Sequence, residues 1–100
     1  MALEITGTIE LQSGLVINSV YARVNPQLRT SGDKVDNVLA FWVSETDYNE
    51  GKWPLEYNPN IQLRFDYDRA VDGTDLLTFS NEKIKAELEA KGFSVVITEL

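Results

Sequence analysis

The apolar residues Leu3, Ile5, Ile9 and Leu11 alternate with Glu4, Thr6, Thr8 and Glu10. Successive side chains of a strand point to opposite faces, so this period of two predicts a strand over residues 3–11 with one dry and one wet face. The polar break Gln12, Ser13, Gly14 precedes a second β-branched run over residues 15–24, and a β-hairpin is the simplest connection. Asn18 and Ser19 interrupt that run and mark a place for a bulge. Asn25 and Pro26 are expected to end the strand, because proline has no ladder donor, and residues 29–34, RTSGDK, read as an exposed loop.

Residues 38–43, VLAFWV, contain no polar side chain. Such a run belongs to a central strand covered on both faces, or to a strand whose second face meets a partner. Residues 44–60 then read as a long loop, dense in turn formers: Asn49, Gly51, Pro54, Asn58 and Pro59. Strict alternation returns over residues 61–67, with Ile61, Leu63, Phe65 and Tyr67 opposed to Gln62, Arg64 and Asp66, predicting another half-buried strand.

Over residues 74–91 the period changes. Leu77, Ile84 and Leu88 recur at helical spacing, and Glu82, Lys83, Lys85, Glu87 and Glu89 fall where they stay wet. The helix is expected to begin at an N-cap Thr74, with a start near Ser80 as the alternative, and to stop at Gly92. Lys91 suits the negative end of the helix dipole. Residues 93–100 predict a last strand by their β-branched content. The expected fold is α+β: a mostly antiparallel sheet of about five strands, with one C-terminal helix packed on it and followed by the last strand, in one globular domain over residues 1–100.

Charge narrows the partners. Nine Lys and Arg stand against sixteen Asp and Glu, a net charge of -7. Between Glu45 and Asp75 eight acids (Glu45, Asp47, Glu50, Glu56, Asp66, Asp68, Asp72, Asp75) face three bases (Lys52, Arg64, Arg69), or -5. Nucleic-acid affinity rests on Lys and Arg neutralising phosphates, so no direct nucleic-acid partner is expected, and an anionic membrane surface is disfavoured for the same reason. The alternating start does not read as a signal peptide, and no apolar run approaches a membrane span. The simplest expected location is the cytoplasm of the producing cell, unless the chain leaves in a larger particle.

Candidate chemistry is sparse. DYDRAVDGTD, residues 66–75, is the nearest approach to a calcium loop, but a frame beginning at Asp68 puts Ala70 at the third position and Phe79 at the twelfth, so a structural turn is the favoured reading. The chain has no histidine and no cysteine, which removes the usual nucleophile and base arrangements and thiolate metal sites. Gly51 and Lys52 lack the rest of a phosphate loop. No catalytic residue, cofactor or metal is assigned, and the chain is read as no enzyme.

The aromatic residues are more telling. Phe41, Trp42, Tyr48, Trp53 and Tyr57 cluster around the long loop and are the candidate interface residues. Trp42, inside the apolar strand, is expected mostly as a core residue. Trp53 lies between Lys52 and Pro54, where it either folds back over the core or stands out as an anchor for a protein or a sugar ring.

The start MALEITGTIELQSGLVINSVYARV, the middle SETDYNEGKWPL and the close FSNEKIKAELEAKGF together resemble small virion-associated structural proteins of tailed bacteriophages. The likeness spans most of the chain and lies in layout. It implies a structural component of a capsid, head or tail fibre, neck or tail, assembled in the bacterial host cytoplasm, whose partners are other virion proteins and copies of itself. It assigns a role to no individual residue. The rival readings are a small acidic inhibitor or adaptor that mimics nucleic acid, and a carbohydrate-binding module.

Overall fold

The computed structural model describes residues 1–73 and 75–98. Five strands, β1 (Ala2–Glu10), β2 (Val16–Leu28), β3 (Lys34–Trp42), β4 (Arg64–Asp66) and β5 (Ser94–Thr98), form one sheet in the order β4-β3-β2-β1-β5, with every neighbouring pair antiparallel. Among the described residues three helices, α1 (Glu45–Asn49), α2 (Arg69–Asp72) and α3 (Leu76–Ala90), complete the α+β fold, and α3 precedes the last strand.

Register explains the core. Leu3 pairs with Ala22 and Ala22 with Phe41, Ile5 lies between Val20 and Val95, and Val35 faces Phe65. Directly paired residues share a face, so one side of the sheet becomes continuously apolar. Helix α3 covers this side over β5, β1 and β2 through Phe79, Ile84 and Leu88. Beyond its reach, Leu55, Tyr57 and Ile61 of the long connection pack on the same core.

Two β-features depart from expectation. The bulge falls where Asn18 breaks the pattern, but the extra residue belongs to β1: Thr6 pairs with Ser19 and Ile9 with Ile17, so Gly7 and Thr8 together oppose Asn18. A Cβ on Gly7 would lie 2.7 Å from the ring of Phe93, so this site admits glycine because the ring closes over it. Asn25 and Pro26 do not end β2; they pair with Val38 and Asn37. The register of β1 stops at Ala22, so beyond it β2 has only β3 beside it, and an open side tolerates a proline.

Strand β3 begins earlier than expected, at Lys34, and is not covered on both faces. Leu39 and Phe41 turn to the core, whereas Val38, paired with Asn25, is 55% exposed on the far side. Strand β4 is shorter than the alternation over residues 61–67 predicts. Leu63 meets β3 only through its carbonyl, which accepts from the Asn37 amide at 3.1 Å and from Asn37 Nδ2 at 2.9 Å.

Asp75 caps α3, its carboxylate accepting from the Thr78 amide and hydroxyl; Thr74, the expected cap, lies outside the described residues. The buried stripe is Ser80, Ile84 and Leu88 with Phe79 and Asn81, and Leu77 is partly exposed at its border. Gly92 stops the helix as expected. Its φ is 97°, its amide donates to Glu89, and the Phe93 amide donates to Leu88, the paired bonds of a Schellman turn. The last strand, expected over residues 93–100, completes its own sheet beside β1; Glu99 and Leu100 lie outside the described residues.

Candidate interaction site: an aromatic loop anchored on β3

Strand parity sends the two aromatics at the end of β3 in opposite directions. Phe41 enters the core, where the ring of Tyr57 meets it edge-on at 5.0 Å between centroids. Trp42 goes to the far face and packs edge-on against Tyr48 at 4.8 Å. Tyr48 in turn tilts against Tyr21 at 5.6 Å, and the Arg23 guanidinium lies 4.3 Å from the Tyr48 centroid. Trp42 is therefore half-buried in a satellite cluster, outside the main core where the sequence places it.

The segment over residues 44–60, expected as loop throughout, begins as helix α1. Ser44 caps it, its side chain accepting from the Asp47 amide at 3.2 Å. One helical turn suffices to lay Tyr48 on Trp42 and Tyr21. The burial of Tyr21 pushes its phenol up from the ordinary tyrosine value, and the nearby Arg23 charge opposes that shift.

Beyond α1 the chain is irregular but tied down at short intervals. Trp42 Nε1 donates to the Lys52 carbonyl at 2.8 Å, Leu55 N donates to the Phe41 carbonyl at 2.7 Å, and Gln12 N donates to the Glu56 carbonyl at 3.2 Å. Lys52 Nζ lies 3.3 Å from Asp47 and 3.5 Å from Glu50, and the Asp47 hydrogen bond holds its ammonium pKa above the ordinary lysine value. Between these anchors Trp53 is 92% exposed. It does not fold back over the core; Tyr57 and Leu55 occupy that position.

Behind the loop a cleft of about 330 Å³ opens between β3 and the returning chain, lined by Leu39, Phe41, Tyr57, Ile61 and Leu63, with Asn37 at its base. Burial raises the Tyr57 phenol above its usual value.

Six of the eight acids between Glu45 and Asp75 are put to local structural use. Asp47 and Glu50 pair with Lys52, and Asp66 pairs with Lys34 at 2.6 Å. In the candidate calcium segment, Asp68 Oδ1 accepts from the Ala70 amide and Asp72 Oδ2 accepts from the Asp68 amide, capping α2. The Tyr67 hydroxyl donates to the Gly73 carbonyl and closes that turn. Among the described residues no group of three or more His, Cys, Asp or Glu is placed to hold a metal ion, and no helix is long and apolar enough to cross a membrane.

The five aromatic candidates thus divide by role. Phe41 and Tyr57 support the loop from within, Trp42 and Tyr48 brace it from the far face, and Trp53 alone is presented to solvent. Sequence reasoning missed Tyr21 and Arg23, whose spacing of two on β2 was the available sign that they share a face; the register that sets Tyr21 opposite Trp42 makes it the face of Trp42. No family model, curated protein or solved structure matches this chain.

Proposed function

We propose that this chain is a structural assembly protein that docks onto a protein partner through Trp53 and its braced loop. The observation that carries the reading is the 92% exposure of a tryptophan between backbone hydrogen bonds on either side. A large aromatic on an anchored backbone loses less conformational freedom on binding than one on a loose loop, which is why such residues act as interface anchors. The resemblance to small virion proteins of tailed bacteriophages supplies the setting, with other virion proteins as the partners.

The pairing of Asp47, Glu50 and Asp66 with lysines and the capping by Asp68, Asp72 and Asp75 favour this reading over a nucleic-acid mimic, which needs rows of outward carboxylates. The test is incorporation of Trp53→Ala into particles in infected cells. Loss of incorporation with an unchanged melting temperature is expected; incorporation at the normal level overturns the role of the loop.

A further inference from the structure

Strand β5 is the last of the sheet, and among the described residues its only backbone neighbour is β1. Alternate residues of such a strand turn N–H and C=O groups outward, a template for another strand. Folded proteins blunt these edges with charge, proline, bulges or brevity. The opposite edge is blunted in this way: β4 has three residues, and Arg64 and Asp66 on either side of Phe65 are engaged in ion pairs. Strand β5, SVVIT, has no charge and no proline, pairs with β1 in unbroken register, and leaves Val96 56% exposed on the far face.

We propose that β5 is a self-association edge, at which two copies of the chain pair their β5 strands antiparallel about a two-fold axis through Val96. The strand is its own complement in that register. Val96 meets the partner's Val96 on the far face, Val95 meets the partner's Ile97 on the core side, and Ser94 meets the partner's Thr98. Opposed β-branched residues and Ser–Thr pairs are favourable across antiparallel strands.

Charge permits the same occupant at this edge. A chain of net charge -7 repels its own copies over much of its surface, and no ionised side chain lies between Ser94 and Thr98. Two copies approach there without like charges facing each other. Pairing uses the β5 edge of both copies and leaves outward the blunted β4 edges and the open stretch of β2 that carries Pro26, so the association closes at a dimer and does not run on into a fibre. This edge lies across the sheet from β3 and the Trp53 loop, and the inference stands apart from the proposed docking role.

The chain has no cysteine, so Val96→Cys introduces a single thiol at the proposed axis. Directly opposed Cβ atoms are about 4.5–5.5 Å apart, within reach of a disulfide or of a short bismaleimide. Thr98→Cys places the thiol on the same face but about 13 Å from its counterpart, at roughly 3.3 Å per residue over four positions. The full chain is expected to show by light scattering twice its mass of 11.3 kDa, and the Val96 variant to cross-link at least tenfold faster than the Thr98 variant. Val96→Lys is expected to give a folded monomer, and Trp53→Ala to leave the dimer intact. A monomer at every concentration overturns the proposal, as do equal cross-linking rates for the two thiols, which would report another interface or chance collision.

Discussion

The indole N–H of Trp42 donates to the carbonyl of Lys52 at 2.8 Å, tying the end of β3 to the residue before the exposed Trp53. Trp42 is thereby a positioning residue for the loop. Replacing it with Phe keeps a ring against Tyr48 and removes the donor. The expected cost is about 1 kcal/mol in urea unfolding, the usual net value of such a bond, together with faster tryptic cleavage after Lys52. An unchanged cleavage rate would show that the other anchors suffice.

Gly7 and Phe93 form a second dependency. Because a Cβ at position 7 would stand 2.7 Å from the Phe93 ring, Gly7→Ala is expected to cost about 1–3 kcal/mol, the range for overpacking. Phe93→Leu in the same chain should recover part of that loss, so the two substitutions combine non-additively. Strict additivity in thermal unfolding would place the strain in the backbone of the bulge instead.

Ile84 is fully buried under the sheet, whereas Leu77, one of its partners in the apolar repeat, is 38% exposed. Ile84→Ala is expected to destabilise by about 2–5 kcal/mol and Leu77→Ala by much less. Chemical denaturation of the two variants checks the orientation of α3. Equal costs would mean that the Leu77 side of α3 is packed as tightly as the Ile84 side.

Asp36 accepts from Arg64 and Arg29, and these bonds hold its carboxyl below the ordinary value of 3.8. A group whose folded pKa is depressed adds stability that is complete above the unfolded value and is lost as pH falls through the folded one. The melting temperature should therefore drop below about pH 4, and Asp36→Asn should flatten part of that drop. The network is exposed, so added salt should shrink the difference. Identical acid limbs for both proteins would remove Asp36 from the account.

The fold class was legible because its signals are local. Period two over residues 3–11, the helical recurrence of Ile84 and Leu88, and the Gly92 stop each depend on neighbours a few positions away. The errors arose where distant chain decided. Pro26 stays in β2 because β1 has already ended beside it, and residues 61–63 stay out of the β4 ladder, where the returning chain lines the cleft beside β3.

The candidate site divides along the same line. Sequence alone determined that aromatics gather around a turn-rich, acidic segment, since composition and turn chemistry are written residue by residue. Only the tertiary structure decided which of them faces outward. Phe41 and Trp42 are adjacent, and the parity of β3 sends one to the core and the other to Tyr48; Trp53 and Tyr57 share one loop, and the bond from Leu55 to Phe41 turns the second inward while the first remains outside. Exposure is a property of what packs against a residue, and its packing partners here lie on strands distant in the chain.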